Sequence, residues 1–323
     1  MKIGNISGRI FRFFLFTLPC LLSLISIEEL SIEVQVSQFA KITTKMRSEP
    51  SERQKIRDLI NPHTTTLTKA LNEFIRDAKK NLPSQYHELV LIADNLDRIV
   101  PITKADNRSN HDEIFIDRNE QLKNLDCHLV YTIPISLLYS DRAASLTDIY
   151  GTSQVLPMIM VQTSENEPYQ KGINKVIELL QKRLNTVDSS KSIVDFFESR
   201  SSLEMLCLMS GGHARNLLLL MKQALKYTNT LPISNKALQR SVSELRKTYK
   251  DTIYANEWEA LANVHHSKEI VNDQLYRGLL FNRCILEYRY LEPDGGSNVW
   301  YDIHPLIKGI KTFQDTYNHL YPG

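Results

Sequence analysis

The stretch "LVLIADNLDR", Leu89 to Arg98, decides how this sequence is interpreted. It is apolar from Leu89 to Ala93, which is typical of a strand buried on both faces of a parallel sheet. Ligands of such sheets lie beyond the carboxyl ends of the strands, where Asp94 and Asp97 follow. These two carboxylates are therefore candidate Mg²⁺ ligands. The alternative is that Asp94 only ends a strand and that Asp97 forms a surface ion pair with Arg98.

Composition sets wide limits on the class of protein. With 323 residues, 42% hydrophobic and 24% charged, the chain is long enough for two or three small domains. The formal net charge of +2 does not by itself imply nucleic acid or an anionic membrane as a partner. Four cysteines without C-x-x-C spacing indicate free thiols in a reducing compartment and no zinc site. We expect a cytoplasmic protein. The cysteines are Cys20, Cys127, Cys207 and Cys284.

The N-terminus favours a different location. Residues 13–27 carry no charge and follow three basic residues, as in a secretory signal. No small-residue cleavage site follows, Pro19 interrupts the run, and it is too short to span a membrane. Export or membrane association through residues 9–27 is the minor alternative. Residues 1–28 are set apart as an apolar segment outside the domains, and no membrane partner is expected.

Residues 29–165 are predicted to form an α/β layer. The sequence "LSIEVQVSQF" (30–39) alternates apolar and polar residues like a strand, and residues 65–82 carry a helical apolar stripe. The strand 89–93 and two further apolar runs, at 127–138 and 154–162, follow. Alternating strands and helices of this kind indicate a mostly parallel sheet that is covered on both faces.

The pattern changes near Asn166. Residues 166–250 show only helical spacing, with "SGG" (210–212) as a break between two helices. Residues 251–323 predict two helices and then a β-hairpin around "PDGGS", which is the order of a winged helix. Three aromatic residues of this module are predicted to be core, and His304 is predicted to be a capping or core histidine. The aromatic residues are Trp258, Trp300 and Tyr301.

Three stretches occur in an order that resembles a known family. "LVLIADNLDR", "HLVYTIP" and "SGGHARNLLLLMKQAL" together resemble the AAA+ and STAND-type P-loop ATPases, near the branch that includes the origin-recognition initiators. The resemblance implies a truncated P-loop NTPase core over 29–165, an α-helical lid over 166–250 and a winged-helix domain over 251–323. It also implies ATP and Mg²⁺ as cofactors.

The resemblance assigns roles residue by residue. Asp94 matches the Walker B aspartate, Thr132 the polar sensor 1 residue, and Arg215 the sensor 2 arginine. Arg142 lies where an arginine finger would act on a neighbouring subunit, so a homo-oligomer is possible. Each residue also has a structural alternative: Thr132 as a β-former in a strand, Arg142 as a solvated helix residue, and Arg215 as a helix N-terminal residue.

Position 95 departs from the family. The residue after the Walker B aspartate is usually a glutamate that polarises the attacking water, but here it is Asn95. Because an amide cannot accept a proton, hydrolysis should be weak even if nucleotide binds. If the protein is active, it is expected to be a Mg²⁺-dependent ATPase with slow turnover.

The phosphate-binding loop is missing. Only Gly4 and Gly8 precede Gly151, so no G-x-x-x-x-G-K-[ST] motif lies upstream of the acidic strand. "GNISGRI" is one residue short, has Arg9 in place of lysine, and has no following Ser or Thr. The chain is therefore either a degenerate ATPase or a truncated or split product. If the chain folds alone, residues 9–18 are expected either to insert as a substitute for the missing central strand, beside "HLVYTI", or to leave the sheet gapped and prone to aggregation.

Two function classes remain open. The first is a fragment or degenerate form of an ATP-binding regulatory switch ATPase, with weak or no hydrolysis. The second is a non-catalytic protein-interaction module that retains the scaffold, with a separate protein or its own missing N-terminal half as partner. DNA binding by the winged helix is less favoured, because residues 254–323 hold six Lys or Arg against nine Asp or Glu.

Overall fold

The computed structural model describes residues 63–103, 108–291 and 294–322. They form a mixed α/β structure whose two compact units divide between Pro134 and Ile135. The sequence predictions for residues 1–28 and 30–39, including the replacement strand at 9–18, lie outside the described residues. The division falls inside the predicted 29–165 core, because Ile135 and the residues after it pack with the C-terminal part of the chain.

The first unit contains the predicted long helix and three short helical turns. Helix α1 (Thr64–Lys80) confirms the helix predicted at 65–82, and Leu71 and Ile75 are buried on its inner side. The Asn72 side chain donates to the carbonyl of Asn124 and accepts from the backbone N–H of Asp126, so it fastens α1 to the chain before the second strand. The short turns are the 3₁₀ helix Leu96–Arg98, α2 (Asn110–Asp112) continuing as a π-helical turn (Glu113–Asp117), and α3 (Asn119–Lys123).

The described sheet of this unit has two parallel strands. Strand β1 (Val90–Ala93) and strand β2 (His128–Tyr131) pair with Val90 opposite His128 and Ala93 opposite Tyr131. The strand predicted at 89–93 and the first part of the strand predicted at 127–138 are therefore confirmed, and the structure shows that they are neighbours. The remainder of that run forms the 3₁₀ helix Ile135–Tyr139 of the second unit.

One face of this sheet is exposed. The exposed fractions are 53% for Val90, 44% for Ile92 and 47% for Val130. The prediction of a sheet covered on both faces is therefore wrong for the described residues. Alternate side chains of a strand point to opposite faces, and the described elements cover the face of Tyr131, whose hydroxyl donates to the carbonyl of Leu122.

After the 3₁₀ helix Ile135–Tyr139, the second unit continues with helix α4 (Ala143–Tyr150) and an extended segment. The predicted strand at 154–162 is wrong: the described residues there form no strand, and only Gln162 makes an isolated bridge, to Pro168. Instead the segment crosses other elements, with Met158 N donating to the carbonyl of Glu287 and Ile159 N donating to that of Gly212. A strand needs a neighbouring strand in register, and this run has none among the described residues.

Four helices surround the larger hydrophobic core and confirm the predicted helical region. The leucines Leu203, Leu206, Leu220 and Leu238 are completely buried there. Serine side chains begin two of the helices and accept a backbone N–H of the first turn, which satisfies an otherwise unpaired donor. The helices are α5 (Gln170–Asn185), α6 (Arg200–Met209), α7 (Ala214–Lys226) and α8 (Asn235–Thr252). Within the predicted helical region 166–250, residues 192–199 do not form an α-helix but contain a 3₁₀ turn, Ile193–Phe196.

The C-terminal residues form helices and a hairpin around a second core. After a 3₁₀ turn at Ala255–Glu257, the elements are α9 (Trp258–Ser267), α10 (Gln274–Phe281), β3 (Ile285–Leu291), β4 (Ser297–Ile303), α11 (Pro305–Lys308) and α12 (Lys311–Leu320). The strands pair antiparallel from Ile285 opposite Ile303 to Leu291 opposite Ser297, so the predicted hairpin is confirmed. Trp258 and Trp300 are buried as predicted.

The predictions that Tyr301 is a core residue and that His304 is a capping or core residue have different outcomes. Tyr301 is half-buried rather than fully buried. Its hydroxyl lies 2.6 Å from that of Tyr139. His304 is both a core and a capping residue, because it is completely buried and its ring accepts from the backbone N–H of Leu306 at the start of α11.

Candidate functional site

Asp94 and Thr132 lie side by side at the carboxyl ends of β1 and β2. The backbone N–H of Thr132 donates to the carbonyl of Ala93 at 3.2 Å, which continues the parallel ladder to the strand ends. The Thr132 hydroxyl donates to Asp94 Oδ1 at 3.4 Å. The two side chains thus occupy neighbouring strand ends at the edge where parallel sheets bind ligands.

Asn95 is turned back on Asp94. Its backbone is left-handed, with φ at 68°, a conformation that asparagine tolerates better than most residues. Its backbone N–H donates to Asp94 Oδ1 at 2.7 Å, and its side-chain Nδ2 donates to Oδ2 at 3.3 Å. The carboxylate is therefore oriented by its own neighbour, and the amide at this position offers no proton acceptor for water.

These residues fit one side of a magnesium-nucleotide site. Asp94 is exposed and Asp97, at the start of the Leu96–Arg98 turn, is half-buried, so both carboxylates can be reached by solvent. Among the described residues, no group of three or more His, Cys, Asp or Glu could hold a metal ion. A metal at Asp94 would thus depend on water and on ligand oxygens for most of its shell.

The phosphate side of such a site does not fit. Phosphates are held by the backbone N–H groups of a glycine-rich loop at a helix N-terminus. The sequence has no glycine between Gly8 and Gly151, and Gly151 already belongs to the second unit. The chain therefore offers an acidic residue and a hydroxyl for ATP and Mg²⁺, but no described cradle for the phosphates.

The two arginines predicted from the family both lie in the second unit. Arg142 immediately precedes α4, where its carbonyl accepts from the backbone N–H of Leu146, and its side chain is half-buried. Arg215 is exposed in the first turn of α7. Arg215 thus lies at a helix N-terminus, as its structural alternative predicts, whereas Arg142 precedes its helix and is not the solvated helix residue of the other alternative. The finger and sensor roles stay predictions.

A completely buried carboxylate, Asp302, forms the centre of a polar cluster at the end of β4. Asp302 Oδ2 accepts from Lys268 at 2.9 Å and from Lys308 at 2.8 Å. Oδ1 lies 2.7 Å from His265 Nδ1. Burial alone raises the pKa of Asp302, but the His265 hydrogen bond and the two lysines outweigh it and lower this pKa to about 2. The carboxylate is therefore ionised and fully paired.

A second cluster joins helices α7 and α8 to the chain after the hairpin. His304 Nε2 lies 2.7 Å from Asn216 Nδ2, which also donates to the Tyr249 hydroxyl at 2.8 Å. The rings of Tyr249 and His304 stack with centroids 4.6 Å apart. Burial lowers the pKa of His304 to about 3 and that of nearby His213 to about 4, so both rings are neutral.

A third cluster fixes the start of the second unit to the hairpin. The hydroxyl of Tyr139 and the guanidinium of Arg289 both donate to the buried carboxylate of Glu287. Burial, followed by the hydrogen bond to Glu287, holds the pKa of Tyr139 well above its usual value. Tyr139 is the last residue of the 3₁₀ helix Ile135–Tyr139, so this cluster fixes the first residues of the second unit to the hairpin of the same unit.

The sequence predictions did not find these clusters. Glu287 and Asp302 each have an apolar or aromatic residue on both sides in the sequence, but alternation in a hairpin is equally typical of acids that face solvent. Acids are fully buried almost only when they are paired. The identities of those partners depend on residues more than a hundred positions away, such as Tyr139 and Gln162.

Comparison with known proteins found no match to a family model, to a curated protein or to a solved structure. Among the helices of the described residues, none is both long and apolar enough to cross a membrane.

Proposed function

We propose that this chain is a degenerate form of a regulatory switch ATPase of the P-loop type, in which the strand-end residues persist and nucleotide turnover is weak or lost. The observation that supports the proposal is the pairing of Asp94 with Thr132 at neighbouring carboxyl ends. This is the placement that the AAA+ and STAND resemblance requires of a Walker B aspartate and a sensor residue. The P-loop core, lid and winged helix are part of the same proposal.

The residues that remain can orient a ligand but cannot drive hydrolysis. When bound, Mg²⁺ would neutralise negative charge on the phosphate oxygens of ATP, and Asp94 would hold the water shell of the metal ion. Thr132 keeps the Asp94 carboxylate in place by its hydroxyl hydrogen bond. Asn95 donates to that same carboxylate and cannot take a proton from water, so the step that a glutamate would assist has no base at this position.

We predict that the chain binds Mg·ATP with a Kd of about 1 mM or weaker, because the amide cradle for the phosphates is missing. Titration with a fluorescent ATP analogue, and competition by unlabelled ATP, measures this. Asp94→Asn should abolish the weak signal. Asp77→Asn removes an exposed carboxylate from α1 in the same unit and should leave the signal unchanged.

The possible results separate the candidates. Micromolar affinity, or phosphate release above background, would contradict the loss of the phosphate site. Weak binding that Asp94→Asn and Asp77→Asn reduce equally would show that Asp94 has no special role.

A second candidate function is a non-catalytic protein-interaction module. The exposed apolar face of the sheet, formed by Val90, Ile92 and Val130, favours this function, because surfaces that join proteins are built from such side chains. Complete absence of a nucleotide signal at millimolar ATP, with the chain folded, would support this candidate over the switch.

A further inference from the structure

Positive charge is concentrated in two consecutive helices of the second unit. Residues 213–252, which contain α7 and α8, hold eight Lys or Arg and two Asp or Glu, a formal net charge of +6. Residues 254–323 carry a formal net charge of −3. The overall charge of +2 therefore conceals a strongly basic segment next to an acidic one.

Seven of these cations are exposed, and six of them, all but Arg215 at the start of α7, form what we call the basic surface. On α8 they are spaced by four, seven and three residues, which places them on one side of a helix with 3.6 residues per turn. On α7 two lie four residues apart on one side. The buried residues of both helices occupy the other sides. The six residues are Lys222 and Lys226 on α7, and Lys236, Arg240, Lys247 and Lys250 on α8.

The α7 and α8 parts of the basic surface meet at one aromatic ring. The Arg240 guanidinium lies 4.0 Å from the centroid of the Tyr227 ring, and Lys226 Nζ lies 5.8 Å from the same centroid. Two cations on neighbouring helices thus share one ring. This contact brings the two rows together into one surface.

The basic surface lacks the internal neutralisation found on α5. There Lys175 and Lys182 both pair with Glu178, at 2.9 and 2.8 Å. Within the described residues, no ion pair joins any member of the basic surface to a carboxylate, although Glu244 and Asp251 lie on the same helix. Like charges three or four residues apart destabilise a helix slightly, so a bound polyanion would relieve repulsion here.

The dimensions and chemistry of the basic surface suit a rigid polyanion. From Lys236 to Lys250 a helix rises about 21 Å, and packed helices lie about 8–10 Å apart. Tyr227 is covered by Arg240, so it offers no stacking platform for an unpaired base. Gln239 and Ser243 lie among the cations of α8, where a membrane-binding helix would insert bulky apolar side chains.

We propose that the basic surface binds the phosphate backbone of duplex DNA without sequence specificity. Lysine suits this role as a point charge for phosphate, and affinity would come from counterion release. The surface lies outside the acidic residues 254–323, so DNA binding here does not require the predicted winged helix. It also involves neither Asp94 nor nucleotide, so its success or failure is independent of the proposed ATPase origin.

Fluorescence anisotropy of the full chain with a labelled random duplex of about 25 base pairs tests the proposal. With about four phosphates neutralised, log Kd should rise with log salt with a slope near 4, which is about 10²-fold weaker binding at 200 mM than at 50 mM salt. The quadruple variant Lys236→Gln, Arg240→Gln, Lys247→Gln, Lys250→Gln should lose at least tenfold in affinity and most of that slope.

A charge-matched variant is the control. Lys171→Gln, Lys175→Gln, Lys182→Gln, Lys191→Gln removes four exposed lysines from another part of the same unit and should weaken binding by less than threefold. The charge-retaining variant Lys236→Arg, Lys247→Arg, Lys250→Arg should bind like the wild type. Equal losses in both quadruple variants, or no duplex binding at 50 mM salt, would overturn the proposal. So would tighter binding to vesicles of anionic lipid than to DNA.

Discussion

Asp302 shows how one buried charge connects distant parts of the second unit. Its carboxylate accepts hydrogen bonds from Lys268, just after α9, and from Lys308, at the end of α11. It also accepts from the side chain of Gln162, in the extended segment, at 3.0 Å. Both lysines also donate to the side chain of Asn166. Removing one member of such a group leaves the other charges buried and unpaired. The resulting loss of folding free energy is larger than the net stabilisation that the complete cluster provides.

We predict that Asp302→Asn lowers the free energy of unfolding by about 3 kcal/mol, since two partly buried lysines lose their carboxylate. Urea denaturation followed by tryptophan fluorescence measures the change. Asp315→Asn removes an exposed carboxylate that pairs with Lys311 four residues away, and should change stability by about 0.5 kcal/mol or less. Similar losses for the two variants would show that Asp302 is not the centre of this cluster.

At the scale of elements, the extended segment 154–162 is held by two glycines. A Cβ atom on Gly172 would lie 1.7 Å from the carbonyl oxygen of Met160, and one on Gly212 would lie 1.7 Å from that of Ile159. Gly212 also has a φ of 73°, which side-chain-bearing residues rarely adopt. The segment can therefore approach α5 and the turn before α7 only because both positions lack a side chain.

We predict that Gly172→Ala lowers the free energy of unfolding by about 2 kcal/mol or more, because the new methyl overlaps a backbone atom that cannot move alone. Gly278→Ala is the matched control, since Gly278 also lies in a helix but a Cβ atom there would have no neighbouring atom within 4 Å. Alanine should be neutral there or should stabilise α10 by up to about 1 kcal/mol. Thermal melts of both variants measure this. Equal changes in melting temperature for the two variants would contradict the close approach of the Met160 carbonyl to Gly172.

At the scale of the whole molecule, the two compact units can be followed separately. The sequence contains two tryptophans, Trp258 and Trp300, and both are buried in the second unit. Intrinsic tryptophan fluorescence therefore reports the unfolding of that unit alone. This property allows its response to pH to be measured in the intact chain.

We predict that the second unit loses stability as the pH falls from about 6.5 to 4. The unfolded chain protonates His213 and His304 near 6.5, whereas burial lowers their folded pKa values to about 4 and about 3. The unfolded state thus binds more protons in this range, and each histidine contributes a slope of up to about 1.4 kcal/mol per pH unit. Below pH 3.8, Asp302 extends the loss, because its folded pKa is about 2.

Variants at two histidines check the origin of this slope. His304→Asn should be less stable than the wild type at pH 7 but should depend less steeply on pH between 6.5 and 4. His319→Asn removes an exposed histidine of α12 and should follow the wild-type curve. Parallel curves for His304→Asn and the wild type would contradict the assignment.

The sequence by itself determined the local elements of this protein. Helices α1, α5, α7 and α8 follow from apolar spacing, and the hairpin follows from alternation around a turn. Asp94 and Thr132 could likewise be placed at strand ends, because each lies just after a short apolar run. These features depend on residues within a turn or two of one another, so a single sequence is enough to predict them.

Only the tertiary structure decided which of these elements have partners. The apolar run 154–162 is extended but not a strand, because β pairing requires hydrogen-bonding neighbours that local sequence does not specify. The sheet face of Ile92 is exposed, although its composition is that of a buried strand. Asp302 is neutralised by residues from three separate elements, while no described carboxylate forms an ion pair with the lysines of α8. Burial and pairing of charge depend on contacts across the fold, which periodicity does not encode.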